Sequence, residues 1–100
     1  MKLITAIVNG DDSMSVARAL SKSGFRATQL SSSGSFLSSD NTTFLICVED
    51  WSVDTVIQLI QEKCHHRKQY VPSEEQSYPV EISVGGATVY VSNIERFEKL

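Results

Sequence analysis

The spacing of apolar and polar residues along the chain predicts five strands and two helices. Apolar positions that alternate or run together favour strands, whereas apolar positions three and four residues apart favour an amphipathic helix. The strands are predicted at residues 2–9, 25–32, 42–49, 80–84 and 87–91. The helices are predicted at residues 13–23 and 53–64. The order of elements along the chain is therefore β-α-β-β-α-β-β.

Turn-forming and capping residues mark where these elements end. Residues 10–13, Gly-Asp-Asp-Ser, predict a turn followed by a helix cap, and Gly24 predicts the end of the first helix. Asp50 or Ser52 can cap the second helix, which has the strongest periodicity in the chain. Its apolar positions are Val53, Val56, Ile57, Ile60 and Cys64.

The second half of the chain predicts a long loop and then a hairpin. Residues 65–79 are polar, contain both prolines and lack periodicity, which predicts a surface loop. Gly85 and Gly86 separate two short alternating stretches, and a Gly-Gly pair predicts a two-residue hairpin turn because such a turn needs positive φ. The last two strands are therefore predicted to pair with each other.

The element order favours an α+β, ferredoxin-like βαββαβ sandwich with an added C-terminal β-hairpin. Two helices that each need an apolar sheet face are expected to cover one side of an antiparallel sheet. In the strand at residues 42–49, however, both alternating sets of side chains are apolar. The second face of the sheet must then be covered as well, and self-association into a closed cyclic oligomer is the expected remedy.

Composition narrows the possible functions. A chain of 100 residues with 41% hydrophobic residues predicts a single domain, residues 1–100. The net charge of -3 argues against a nucleic-acid partner, and the sequence contains neither a secretory leader nor an apolar run long enough to span a membrane, so a cytoplasmic protein is expected. Motifs of nucleophilic or phosphate-transfer catalysis are missing, which predicts a protein that is not an enzyme and needs no cofactor.

Three stretches carry a specific resemblance. They are KLITAIVNGDDS (residues 2–13), FRATQLSSSGSFLSSDNTTFLICVED (residues 25–50) and PVEISVGGATVYV (residues 79–91). Together they resemble the cyclic-di-AMP receptors of the PII-like family, small bacterial signalling proteins, over nearly the whole chain. The resemblance implies a PII-like homotrimer that binds cyclic di-AMP in clefts between neighbouring subunits and signals to a protein partner, which the sequence does not identify.

The same resemblance assigns ligand-binding positions. It implies that Arg26, Ala27 and Thr28 belong to a ligand-contacting strand, that Phe36 and Leu37 meet an adenine, and that Asn41 makes a polar contact. Cys47 occupies a position where the family usually has glycine. Guanidinium and hydroxyl groups suit phosphate oxygens, while aromatic and aliphatic side chains suit the face of a base. These matches predict the ligand-binding site.

Departures from the family pattern predict weakened binding. The chain has Gly24, Ser35 and Asp40 where the family usually has Asn, Gly and Gly, and a shorter loop at residues 65–79. Cys47 adds a side chain near the expected ligand, and Asp40 adds a carboxylate near an anion. One alternative is a divergent relative that has lost the nucleotide and acts through another ligand or a protein partner.

A trimeric divalent-cation-binding protein is the second alternative. It depends on the adjacent residues Cys64, His65 and His66. Neighbouring side chains point in different directions and no fourth ligand is evident, so the sequence itself predicts no metal site. The two histidines and the basic pair Arg67 and Lys68 that follows them are better explained as cations near a helix C-terminus.

Overall fold

The computed structural model of the chain describes residues 1–32, 41–71 and 80–100. The strands are β1 (Lys2–Asn9), β2 (Thr28–Ser32), β3 (Asn41–Val48), β4 (His66–Val71), β5 (Val80–Gly85) and β6 (Ala87–Asn93). The helices are α1 (Gly10–Lys22) and α2 (Val53–Lys63), and a short 3-10 turn (Asp50–Ser52) precedes α2. Neither helix in the described part of the chain is long and apolar enough to cross a membrane.

Four strands form one antiparallel sheet in the order β2-β3-β1-β6. The register places Ile4 of β1 between Ile46 of β3 and Val91 of β6. Strand β1 is therefore central, with β3 on one side and β6 on the other. A four-stranded antiparallel sheet with two helices agrees with the predicted ferredoxin-like fold.

The core lies between this sheet and the two helices. Alternate residues of β1 and β3 point to the helices, because side chains of a strand alternate between the two faces. The buried apolar residues are Ile4, Ala6, Val8, Val16, Leu20, Phe44, Ile46, Val48, Val56 and Ile60. The helical residues in this set fall on the faces that the periodicity predicted, so the apolar pattern located the core correctly.

Within residues 1–32, 41–71 and 80–100, no helix lies over the opposite face of the sheet. We call it the uncovered face; its residues on β1 and β3 are Leu3, Thr5, Ile7, Thr43, Leu45 and Cys47. All six are half-buried. The structure separates the two alternating sets of β3. One set packs under the helices, and the other, which combines Leu45 and Cys47 with Thr43, lies on the uncovered face.

The first helix begins earlier than predicted. The side chain of Asn9 accepts a hydrogen bond from the backbone N–H of Asp11 at 2.9 Å, so Asn9 is the cap. The predicted turn at residues 10–13 is therefore wrong, since Gly10 is already helical. Ser13 is not the cap; its hydroxyl donates to the Gly10 carbonyl within the first turn, at 2.8 Å.

Gly24 ends the first helix, as predicted. Its φ is +84°, and its N–H donates to the Ser21 carbonyl at 3.0 Å. The N–H of Phe25 donates to the Leu20 carbonyl at 2.9 Å, which completes a Schellman motif. Phe25 also packs against the core that contains Leu20, so the turn and the core fix the direction in which the chain leaves the helix.

Gly24→Ala is expected to lower the free energy of unfolding by about 1–2 kcal/mol, because an alanine in the left-handed region is strained. A Cβ at this position would meet no atom within 4 Å, so the cost arises from the backbone alone. Gly24→Asn should cost less, because Asn tolerates this conformation. Urea unfolding of both variants tests this, and equal destabilisation by Ala and Asn would contradict a conformational cause.

The second half of the chain departs most from the prediction. Residues 66–71, expected within a surface loop, form β4 and pair with β5. The predicted hairpin of the last two strands is wrong: β5 belongs to a separate two-stranded sheet with β4, whereas β6 joins the edge of β1. Gly86 has the positive φ expected, 78°, but it turns the chain from one sheet to the other.

Candidate functional site

A cleft of about 880 Å³ opens at the β2 edge of the main sheet. The pairing of β2 with β3 ends at Thr28 and Leu45, whereas β3 continues to Val48. Residues 24–27 leave the end of α1 without joining the sheet, so the last residues of β3 have no partner from β2. The cleft occupies the space created by this divergence.

The walls of the cleft come from four parts of the chain. They are the end of α1, the segment from Gly24 to the start of β2, the second half of β3 and the C-terminal segment. The lining residues are Ala17, Leu20, Ser21, Gly24, Phe25, Arg26, Ala27, Thr28, Gln29, Phe44, Leu45, Cys47, Phe97, Glu98 and Lys99. Cationic, hydroxyl, amide and aromatic groups are therefore combined in one concave surface, which can hold a ligand with both anionic and planar parts.

The end of α1 positions Phe25 and Arg26 at this surface. Because Phe25 packs partly against the core, its neighbour Arg26 is directed to the exposed side of the segment. Thr28 follows as the first residue of β2, and it is exposed. A guanidinium and a hydroxyl two residues apart thus border the cleft, where both can donate to an anion.

Leu45 and Cys47 belong both to the cleft and to the uncovered face. Phe44, by contrast, contributes to the cleft from the helix side of the sheet. The cleft therefore wraps around the edge of β3 and borders the uncovered face. A second copy of the chain that packed on this face would lie next to the cleft.

The C-terminal segment supplies lining residues that sequence reasoning did not identify. After β6 the backbone N–H of Ile94 donates to the Met1 carbonyl at 3.3 Å, which holds the segment beside the start of β1. Phe97, which is 58% exposed, and Lys99 then reach the cleft from the opposite edge of the sheet. The signal for them in the sequence is weak, because an aromatic residue among charged residues near a terminus has no periodicity.

Charge at the C-terminal wall is partly compensated within the segment. The Nε of Arg96 donates to the Glu98 carboxylate at 3.0 Å, and its Nη2 contacts the same oxygen. Glu98 therefore brings less net negative charge to the cleft than an unpaired carboxylate would. Lys99 and Arg26 are further positive groups in the lining, so the cleft can attract an anion although the chain has a net charge of -3.

A second ion pair lies at the start of β1. The Met1 ammonium is 3.0 Å from Oδ1 of Asp50, at the 3-10 turn. This hydrogen bond, with the charge of the same ammonium, lowers the pKa of the Asp50 carboxyl, although desolvation opposes the shift. Both groups are at least partly exposed, so the contact positions the start of β1 rather than contributing much stability.

The structure brings together four of the seven residues that the resemblance assigned to the ligand. Arg26, Ala27, Thr28 and Cys47 line one cleft. Asn41 lies at the other end of β3, six residues from Cys47, a separation of about 20 Å along a strand. Phe36 and Leu37 lie outside the described residues, as do Ser35 and Asp40.

The described side chains do not form a metal-binding cluster. Among them, no group of three or more His, Cys, Asp or Glu side chains is close enough to hold a metal ion. Cys47 and Cys64 are both half-buried, and neither forms a disulfide. The side chain of His66, on which the cation-binding alternative partly depends, lies outside the described set.

Comparison with known proteins identifies a family. A family model described as the cyclic-di-AMP receptor matches residues 1–100. Among solved structures, the chain is similar to a functionally unknown protein from Pediococcus pentosaceus ATCC 25745, with 37% sequence identity and a TM-score of 0.76. That match covers 99% of this chain and 96% of the other. The family model spans the residues that line the cleft and those that form the two-stranded sheet.

Proposed function

Because this chain belongs to the cyclic-di-AMP receptor family, we propose that it binds cyclic di-AMP in clefts between the subunits of a PII-like homotrimer and passes the signal to a protein partner. The observation that carries the proposal is the cleft itself. Arg26 and Thr28, which the resemblance assigned to the ligand, line it together with three aromatic residues, Phe25, Phe44 and Phe97.

The chemistry of the cleft suits a cyclic dinucleotide. Cyclic di-AMP carries two phosphodiester anions and two flat adenines. A guanidinium can form charge-assisted hydrogen bonds to phosphate oxygens, and the Thr28 hydroxyl can add a neutral one. Aromatic rings offer stacking surfaces for the adenines. A volume of about 880 Å³ lies within the range of small-molecule sites, roughly 300–1,000 Å³.

The position of Asn41 supports a site made by two subunits. Arg26 and Cys47 border one end of β3, whereas Asn41 is paired with Ser32 at the other end. Phe36 and Leu37 belong to the segment that joins Ser32 to Asn41. If both groups of residues contact one ligand, the simplest arrangement takes one group from each of two neighbouring subunits.

The uncovered face supports self-association. It exposes apolar residues of β1 and β3, and Tyr90 of β6, paired with Thr5, is 60% exposed. A sheet face with several incompletely buried apolar side chains commonly marks an interface. Because Leu45 and Cys47 lie on both the uncovered face and the cleft, assembly through this face would place a neighbouring subunit at the cleft.

Cys47→Gly is expected to strengthen binding of cyclic di-AMP by about fivefold to tenfold, because it removes a side chain from the cleft wall. Asp40→Gly should also strengthen binding, because it removes a carboxylate from a position that the resemblance associates with the anionic ligand. The two variants should be measured singly and together. Cys64→Ala, outside the cleft lining, is the thiol control. Unchanged affinity in all variants would contradict this account of the departures.

Calorimetric titration of cyclic di-AMP, combined with light scattering, tests the proposal. We expect saturable binding at one ligand per subunit and a particle of three times the 11.1 kDa chain mass. Cyclic di-GMP is the matched control, because it has the same backbone and different bases. A trimer that binds neither nucleotide would favour the relative that has lost its ligand, and a monomer would contradict the intersubunit site.

A further inference from the structure

His65 connects the main domain to the second sheet through its backbone and its ring. The backbone N–H of His65 donates to Oδ2 of Asp12 at 3.2 Å. The Nδ1 atom of the same residue lies 3.0 Å from Oδ1 of Asp12. One carboxylate in the first turn of α1 therefore holds the residue that directly precedes β4 at two points.

Gly86 completes the junction. Its N–H donates to the His65 carbonyl at 3.1 Å, and its φ of 78° lets the chain turn sharply between β5 and β6. The first pair of the second sheet is His66 with Gly85. Strand β4 therefore begins directly after His65, which is bonded to Asp12. Strand β5 ends directly before Gly86, which is bonded to His65.

The position of the second sheet depends on this junction, because its two strands do not pair with the main sheet. We call it the β-arm: residues 66–71 and 80–85, paired only with each other in the described sheets. A two-stranded ribbon is marginally stable by itself in water. The Cα radius of gyration, 16.2 Å, exceeds the ~13 Å of a compact domain of this length, as expected when one part extends outward.

We propose that Asp12 is a positioning residue that clamps the base of the β-arm through His65 and so sets the direction in which the arm leaves the domain. The two partners differ in exposure: the Asp12 side chain is 3% exposed, whereas that of His65 is 67% exposed. A buried carboxylate needs hydrogen-bond donors, and the N-terminal turn of α1 also favours its negative charge. The clamp thus joins a buried carboxylate in the helix to a largely exposed histidine at the base of the arm.

The geometry gives the two residues unequal roles. Loss of the His65 ring removes the contact of Nδ1 with Asp12 and leaves the backbone N–H of His65 bonded to the same carboxylate. Loss of the Asp12 carboxylate removes the acceptor for both contacts. Asp12 variants should therefore loosen the β-arm more than His65 variants do, although His65 is the residue next to the arm.

Hydrogen exchange of the whole protein, without nucleotide, tests the clamp. In Asp12→Ala, amides at residues 65–71 and 80–86 should exchange roughly 10- to 100-fold faster, the factor expected from loss of a charge-assisted hydrogen bond. Amides in β1 and β3 should change little. Asp11→Ala, an exposed carboxylate in the same helical turn, is the matched control. Faster exchange spread equally over all strands would overturn the proposal, because Asp12 would then only stabilise the whole domain.

A second pair of variants keeps the test decisive if Asp12→Ala does not fold. His65→Asn retains a side-chain N–H near the position of Nδ1, whereas His65→Ala does not. We expect exchange in the β-arm to be about fivefold to tenfold faster in the Ala variant than in the Asn variant. Equal exchange in the two variants would overturn the role of the ring contact. Both outcomes are independent of whether the cleft binds cyclic di-AMP.

Discussion

Arg26→Ala is expected to weaken binding of cyclic di-AMP about 10- to 150-fold, which corresponds to about 1.5–3 kcal/mol for a hydrogen bond to a charged group. Arg26 lines the cleft and is exposed, so its removal takes away a phosphate ligand without opening the core. Arg26→Lys should recover part of the affinity, because it keeps the charge and loses the forked geometry of the guanidinium. Calorimetric titration measures each affinity.

Arg18→Ala is the matched control for Arg26. Arg18 is an exposed arginine of α1 outside the cleft lining, and its loss should change the affinity less than twofold at moderate salt. Light scattering should give the same particle mass for all three variants. A loss of assembly in Arg26→Ala would assign this arginine to the subunit interface, and unchanged affinity would contradict its role in the site.

Ile7→Lys is expected to dissociate the proposed trimer into folded single chains. Ile7 lies on β1, the central strand, and points to the uncovered face, where it is half-buried within one chain. If a neighbouring subunit covers this face, the substitution leaves an unpaired ammonium in the interface, at a cost of about 3–5 kcal/mol. Such a cost would shift the assembly far towards the monomer at micromolar concentration.

Ser15→Lys is the control for this variant, because Ser15 is an exposed residue of α1 on the other side of the sheet. It adds the same charge without touching the uncovered face. Light scattering reports the mass, and far-ultraviolet circular dichroism reports whether the chain remains folded. If Ile7→Lys keeps the mass of the unmodified protein, the uncovered face is not the interface.

The periodicity of the chain was sufficient for most of the main sheet and both helices. Buried residues of α1 and α2 fall on the predicted faces, and Gly24 ends α1 in the left-handed conformation. The start of α1 was misplaced because two side chains, those of Asn9 and Ser13, could each cap a helix. The end of β1 at Asn9 was predicted correctly, but α1 begins directly after it, with the Asn9 side chain accepting from the Asp11 N–H.

The pairing of the last strands could not be derived from local sequence. The Gly85-Gly86 pair is typical of a hairpin turn whether or not another strand competes for β5. The polar residues 66–71 show no strand periodicity, so the sequence gives no sign of that competing strand. The outcome depends on competition between distant partners: β4 pairs with β5, and the open edge of β1 accepts β6. Strand pairing over such separations is determined by the whole fold.

The sequence by itself determined the α+β class and the core faces of the helices, and its family resemblance predicted the segment from Arg26 to Thr28 as part of a ligand site. Those features depend on side-chain spacing and local motifs, and each of these can be recognised within a short stretch of sequence. Only the tertiary structure decided that Cys47 and Phe97 border the same cleft as Arg26, and that Asn41 lies far from it. Proximity between residues distant along the chain follows from strand order and register, because these set which ends of the elements meet.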